Sequence, residues 1–391
     1  MTTDRSISLL RGETVHGHHR VTFVELFFDL VFVFAVTQVS HTLLAHFTLI
    51  GAIETLMLLL GVWWAWIFTS WTTNWFDPER TPVRIALFAL MIAGLVLSTS
   101  IPKAFESRGL AFALAYAAIQ VGRTLFFLLS LPPSELAQRR NFQRILAWLS
   151  TAAVFWIAGG FAEGGARIAL WAIALAIEYA APAARFWTPV IGASSIADWT
   201  IEGGHMAERC ALFVIIALGE SLLVTGATFA DRTWDAPVVA AFALAFIGSV
   251  AMWWIYFDSG AEEGSEQMSK AMDSGRIARL AYTYMHLPIV AGIIVSAAAD
   301  ELALAHPVGH VEGKFALSAI GGPLLFLVGM ILFKRAVRGW FMLSHMVGIA
   351  ALLLLIPFAA QMTPLIFYGL TSFILVVVAA WETISLANRE D

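Results

Sequence analysis

Long apolar stretches recur along almost the whole chain, and they constrain its fold more than any other feature. A helix needs about twenty apolar residues to cross the hydrocarbon core of a bilayer. Polar breaks such as FDPERTP and LPPSELAQRRN separate the stretches. We predict an all-α polytopic membrane protein with about twelve transmembrane helices. The twelve predicted spans are residues 22–46, 50–76, 83–101, 110–131, 142–161, 165–187, 205–229, 236–258, 277–300, 314–333, 339–361 and 364–387.

The composition agrees with a bilayer as the surrounding medium. Of the 391 residues, 59% are hydrophobic and only 13% are charged, whereas a soluble domain carries about 25% charged residues. A net charge of −5 without a basic face argues against a nucleic-acid partner. The single cysteine, Cys210, lies in an apolar run and excludes a disulfide framework. The first apolar stretch is longer than a signal-peptide core, so we interpret it as a retained membrane helix.

Basic residues predict the orientation of the helices. If the N-terminus is cytoplasmic, the internal segments contain 16 Lys or Arg residues and the external loops contain 5. Cytoplasmic loops of membrane proteins carry the excess of positive charge. We therefore expect both termini to lie in the cytoplasm.

The second half of the chain echoes the first. The segment VELFFDLVFVFAVTQ opens the first span and AERCALFVIIALGES opens the seventh, while WWAWIFTSWTTNWFDPE and WWIYFDSGAE end the second and eighth. Repeats of six helices begin and end on the same side of the membrane, so the two copies must be parallel. We predict a cytoplasmic tail over residues 1–20 and two six-helix repeats over 21–190 and 204–388.

Two acids interrupt the first span. Glu25 follows Thr22 at the spacing of a capping box, in which the carboxylate bonds back to the N-cap amide. Asp29 lies a further turn along the helix, where capping cannot explain it. A carboxylate at membrane depth costs about 2.5–3.5 kcal/mol and usually faces the interior of a helix bundle or a wet cavity. The alternative for Asp29 is a structural ion pair with an arginine.

The seventh span offers possible partners. His205, Arg209 and Glu220 lie on one narrow face of this helix, and Glu208 lies beside that face. Glu220 falls near the middle of the membrane, in ALGESL. Simple solvation at the cytoplasmic interface is the alternative for His205 and Glu208. Together with Glu25 and Asp29 they could form a carboxylate–histidine site, but their spacing matches no recognised metal motif, so we assign none.

An arginine also lies inside the fourth span. Arg123 follows Gln120 in AIQVGRTL and cannot easily lose its charge. We therefore expect it to pair with an acid at similar depth, either Glu178 of the sixth span or Asp29. It could act as a static brace.

Two blocks of sequence resemble one family. The blocks FVELFFDLVFV, residues 23–33, and HMAERCALFVIIALGES, residues 205–221, are similar to the signature segments of the bacterial low temperature requirement protein A (LtrA) family. The resemblance implies a multi-pass protein of the bacterial inner membrane and defines no activity or cofactor. The polar positions of that signature fall on Glu25, Asp29, His205, Glu208, Arg209 and Glu220.

The leading hypothesis is a transporter or channel for a proton, a cation or another small solute. Helices one and seven would face each other, with Asp29 and Glu220 as buried ionisable groups and with Arg123 and Arg209 as counter-charges. The alternatives are an intramembrane enzyme that uses His205, Glu208, Glu25 and Asp29 near the cytoplasmic face, and a scaffold or sensor in which these charges lock the halves together. No catalytic sequence motif favours the enzyme.

Overall fold

A computed structural model describes residues 9–12, 20–195, 202–258, 278–339 and 341–390. Most of the predicted N-terminal tail, including residues 13–19, lies outside these residues, and so does the loop between the eighth and ninth spans. The described residues form twelve helices and no strand. The helices are α1 Phe23–Ala45, α2 Leu49–Trp75, α3 Thr81–Ser100, α4 Gly109–Ser130, α5 Leu136–Phe161, α6 Gly164–Ala180, α7 Gly203–Ala230, α8 Ala236–Tyr256, α9 Leu280–Ala305, α10 Gly313–Arg338, α11 Leu343–Leu355 and α12 Pro364–Glu390.

The prediction of about twelve helices in a membrane protein is confirmed. Eleven of the described helices are long and apolar enough to cross a membrane, α11 with the 3₁₀ turn Ile356–Gln361 that follows it. The exception, α6, has 17 residues and a length of about 25 Å at 1.5 Å per residue. That length lies at the lower limit for a transmembrane helix.

Three helix ends differ from the prediction for local reasons. Helix α6 ends at Ala180 rather than at residue 187, because Pro182 has no N–H to continue the helical hydrogen bonds and Arg185 has a positive φ of 52°. Helix α5 begins at residue 136 rather than 142, since the polar segment before the apolar run is also helical. Helix α10 continues to Arg338, where Gly339 ends it with a φ of 85°.

The helices pack as two compact units. The first comprises Met1–Thr42 and Thr48–Met206, and the second comprises Leu43–Phe47 and Ala207–Asp391. In the first unit α3 packs on α4, α4 on α5, α5 on α6, and α2 on α6. In the second unit α9 packs on α10, α10 on α11, α11 on α12, and α8 on α12.

Glycines bring α9 and α10 of the second unit unusually close. A Cβ added at Gly322 would lie 2.6 Å from the backbone nitrogen of Ser296, and one added at Gly292 would lie 2.5 Å from that of Phe326. A Cβ added at Gly321, by contrast, meets nothing nearer than 3.8 Å. Small residues of this kind let the backbones of membrane helices approach each other.

Gly322→Ala should therefore destabilise the protein by about 1–3 kcal/mol, the usual cost of overpacking. Gly321→Ala, the same change one position earlier, should be neutral or stabilising because alanine favours helix. The measurement is the free energy of unfolding of both variants in mixed micelles. Equal effects at the two positions would contradict the close approach.

Candidate functional site

Glu25 begins α1 as a capping residue. Its Oε2 accepts hydrogen bonds from the backbone amide and the hydroxyl of Thr22, each at 2.9 Å. The bond from the Thr22 amide is the carboxylate half of the predicted capping box, and this half is confirmed. The carboxylate is fully buried, and capping does not use its other oxygen.

The other oxygen of Glu25 faces a histidine and an arginine. Glu25 Oε1 lies 2.9 Å from His205 Nε2, and Arg11 Nη2 lies 3.3 Å from both carboxylate oxygens. The same Arg11 nitrogen lies 3.1 Å from His205 Nε2. The imidazole is also fully buried. The first unit therefore contains a buried carboxylate–imidazole pair with a guanidinium beside it.

Asn74, at the end of α2, contacts the other ring nitrogen of His205. Asn74 Nδ2 donates to the carbonyl of Glu202 at 2.8 Å, and its Oδ1 accepts from the Glu202 amide at 2.9 Å. These two bonds turn Nδ2 towards His205 Nδ1, 3.2 Å away. Nδ2 can only donate, so a neutral His205 that accepts this bond carries its proton on Nε2, 2.9 Å from Glu25 Oε1.

Arg11 was not among the predicted site residues. A short extended segment holds it against the end of α2: the Arg11 amide donates to the carbonyl of Trp75 at 2.9 Å, and the Asp77 amide donates to that of Leu9. Arg11 Nε donates to the Thr73 carbonyl at 2.8 Å. The only sequence signal is the apolar pair Leu9–Leu10 directly before it.

Asp29 lies one turn further along α1 and is also fully buried. Its Oδ1 accepts a hydrogen bond of 2.7 Å from the indole nitrogen of Trp66 in α2. Trp66 belongs to a tryptophan-rich segment whose indoles are buried rather than placed at a membrane surface. The position of Asp29 in the bundle interior agrees with the cost of exposing a carboxylate to lipid.

Arg123 does not form the direct ion pair that we expected. Its Nη2 donates to Gln120 Oε1 at 2.7 Å, and its Nη1 donates to Thr69 Oγ1 at 3.0 Å. Gln120 Nε2 then donates to the Tyr116 hydroxyl at 3.1 Å, and that hydroxyl donates to Glu178 Oε2 at 2.5 Å. Within the described part of the chain, a glutamine and a tyrosine thus stand between the two charges.

The backbone of α4 explains this arrangement. Residues Ala118–Gly122 form a π-helical turn inside the helix, and such turns often accompany functional sites. The turn carries Gln120 and directly precedes Arg123. In α2, Thr69 bonds Arg123 and Trp66 bonds Asp29. One turn of α2 therefore contacts both buried charges.

The remaining predicted residues lie on α7 in the second unit. Arg209 is fully buried, whereas Glu208 and Glu220 are half-buried. Their grouping with Glu25 and Asp29 stays a prediction.

A buried ion pair in the second unit was missed by sequence reasoning. Lys334 Nζ of α10 lies 2.5 Å from Glu382 Oε1 of α12, and both side chains are almost fully buried. The two residues are 48 positions apart, and the packing of α10 and α12 brings their side chains together inside the protein.

Comparison with known proteins identifies the family. The model of the bacterial low temperature requirement A protein (LtrA) family matches residues 20–380. The chain belongs to the LtrA family. It is also 43% identical over 374 residues to Uncharacterized protein RA0937 of Rhizobium meliloti (strain 1021), a match that covers 94% of this chain and 90% of the relative. No solved structure matches the chain.

Among the residues that the structure describes, the Glu25–His205 pair of this LtrA family member lacks the donor set of a transition-metal site. No group of three or more His, Cys, Asp or Glu residues suited to a metal ion occurs among the described residues. The guanidinium of Arg11, 3.1 Å from His205 Nε2, would also repel a metal cation at the Glu25–His205 pair. The buried groups are better suited to hydrogen bonding and to proton exchange.

Proposed function

We propose that this LtrA family member moves protons or a small cation across the bacterial inner membrane. The observation that carries the proposal is the fully buried Glu25–His205 pair, with fully buried Asp29 one helical turn away. Ionisable residues inside membrane-spanning segments are costly, and they commonly mark proton relays and ion pathways.

The hydrogen bonds of His205 suggest how binding of a second proton to its ring would change the structure. In the neutral form, Nε2 donates to Glu25 and Nδ1 accepts from Asn74. A second proton, on Nδ1, would point at the amide N–H of Asn74, so that two hydrogen-bond donors would face each other. Asn74 would have to turn, and it would then lose its two bonds to the Glu202 backbone. Proton uptake would thereby loosen the connection between the end of α2 and the segment that begins α7.

The packing order of the helices supports the predicted duplication. Four neighbour pairs of the first unit have counterparts six helices later: α3–α4 with α9–α10, α4–α5 with α10–α11, α5–α6 with α11–α12, and α2–α6 with α8–α12. Two parallel repeats around one pathway are common in transporters, with the binding site where the repeats meet. The proposal includes this repeat arrangement, with Asp29 and Glu220 as ionisable groups of the two repeats.

The proposal also includes the orientation of the helices and the membrane in which the protein lies. Twelve crossings place both termini on one side, and the excess of Lys and Arg in the internal segments makes that side the cytoplasm. Helical spans favour the inner membrane, since proteins of the bacterial outer membrane are typically β-barrels.

The test is ion flux into proteoliposomes that contain the purified protein and a pH-sensitive dye. With an imposed membrane potential, the wild type should acidify the lumen, and Asp29→Asn should lower the initial rate at least tenfold. Asp29→Glu retains an acid and should keep part of the flux. Glu106→Gln, an exposed change in the connection before α4, should have no effect.

Two further measurements make the result decisive. Each variant is checked for its unfolding midpoint, so that a loss of flux in a folded Asp29→Asn protein can be assigned to the carboxylate. Flux is also measured with Na⁺ and K⁺ gradients. A wild type that moves none of the three ions faster than empty vesicles would overturn the proposal and favour a scaffold or sensor.

A further inference from the structure

A small cavity with several polar side chains in its wall lies inside the second unit, at Asp300 of α9. Its walls come from α8, α9, α10 and α12. The volume open to the centre of a water molecule is about 20 Å³, which is room for a single particle the size of water. The polar part of its lining consists of Asp300, Tyr368, Ser249, Ser296, Thr371 and Ser372.

Asp300 is a buried carboxylate without a counter-charge among the described residues. The Tyr368 hydroxyl donates to Oδ1, and the hydroxyls of Ser221 and Thr225 in α7 lie 3.4 Å from Oδ2. The residue is 4% exposed. A carboxylate in a low-dielectric interior is stable only with a proton or a compensating cation. The cavity lies where that cation would be.

Two hydroxyls on the cavity wall lack hydrogen-bond partners within the described part of the chain. Ser249 Oγ and Ser296 Oγ are both buried without a donor or an acceptor, at 3% and 6% exposure of their residues. Buried polar groups are normally paired. Two such groups beside an uncompensated carboxylate indicate an oxygen-binding ligand in the space they line.

Helix α10 has a backbone carbonyl without its usual helical donor beside the cavity. Pro323 lies inside this helix and has no N–H, so the carbonyl four residues earlier, at Ala319, cannot receive its usual helical bond. Ala319 and Pro323 both line the cavity. The potential ligands are therefore all oxygens, the donors that hard cations prefer. One carboxylate balances a single positive charge, whereas a divalent ion would leave an excess charge in an apolar interior.

We propose that this cavity binds one monovalent alkali cation, with Asp300 as its charged ligand and the Ser249 and Ser296 hydroxyls as neutral ligands. The site is formed entirely within the second unit. Cation binding here does not depend on the transport proposal, because an ion could occupy the site in a protein that moves nothing.

The experiment is equilibrium binding of ²²Na⁺ to the purified full-length protein in detergent, with choline chloride holding the ionic strength constant. We expect saturable binding of one ion per chain that unlabelled NaCl or KCl displaces and choline does not. Asp300→Asn should raise the Kd at least tenfold. Ser296→Ala and Ser249→Ala should each raise the Kd several-fold. Because these changes are small, they still test the site if Asp300→Asn fails to fold.

The control is Asp231→Asn, an exposed acid in the connection between α7 and α8, which should bind like the wild type. Absence of saturable ²²Na⁺ binding that NaCl or KCl displaces would overturn the proposal, as would equal affinity of the wild type and the Ser296→Ala and Ser249→Ala variants. Asp300 would then be a protonated carboxyl group. Because binding is measured without a gradient, a failure of the Asp29 flux test would leave this result unaffected.

Discussion

Replacement of Lys334 by methionine is expected to lower the free energy of unfolding by about 3–5 kcal/mol, the usual cost of removing one partner of a buried ion pair. Lys334 Nζ lies 2.5 Å from Glu382 Oε1 and also donates to the carbonyl of Ile255 at 3.1 Å. Methionine keeps the unbranched stem but removes the charge. The Glu382 carboxylate would lose its ammonium partner, and His345 Nε2, at 3.7 Å, is too distant to replace it with a hydrogen bond.

The measurement is the free energy of unfolding in mixed micelles, with two comparisons. Lys334→Met combined with Glu382→Leu removes both charges and should recover most of the loss, since an apolar pair often equals a buried ion pair in stability. Lys314→Met breaks an exposed pair with Glu312 and should change stability by less than about 1 kcal/mol. Equal losses at Lys334 and Lys314 would contradict the burial of the first pair.

Replacement of Arg11 by methionine is the second change with a large expected effect. The Arg11 side chain is 9% exposed, and its guanidinium compensates the fully buried Glu25 carboxylate. Methionine removes this positive charge and leaves the hydrogen bonds from Thr22 and His205 in place. We expect a loss of about 3–5 kcal/mol in the same unfolding measurement, as for other buried ion pairs.

A second variant separates charge from geometry at Arg11. Arg11→Lys keeps the positive charge but cannot place one planar group between both carboxylate oxygens and the Thr73 carbonyl. Its free energy of unfolding should therefore lie between those of the wild type and of Arg11→Met. Arg20→Met changes an exposed arginine near the same end of the chain and serves as the control. Wild-type stability of Arg11→Met would show that Glu25 does not need the guanidinium.

The local features of the chain were predictable because they depend on neighbouring residues. The capping bond between Thr22 and Glu25 spans three positions, and the helices follow from apolar runs whose length matches the bilayer. The burial of Asp29 was also predictable, since exposure to lipid would be costly. The direct hydrogen-bond partner of Arg123 was not predictable. Gln120 accepts its hydrogen bond, and Gln120 and Tyr116 together connect Arg123 to the acid Glu178.

Other partners were hidden by their distance along the chain. Glu25 and His205 are separated by 180 positions, and Lys334 and Glu382 by 48. No periodicity links such positions. Arg11 was hidden for another reason: the polar region around it resembles a solvated tail, and only its backbone bonds to the end of α2 bring it to Glu25.

The amino-acid sequence by itself determined the membrane environment, the helical class, the positions of the twelve helices and the family. Each of these follows from local hydrophobicity or from residues close together in the chain. Tertiary structure decided which buried charges meet, which groups contact the two ring nitrogens of His205, and where the cavity at Asp300 forms. A hydrogen bond depends on distances of about 3 Å, and only the packing of helices brings remote residues that close.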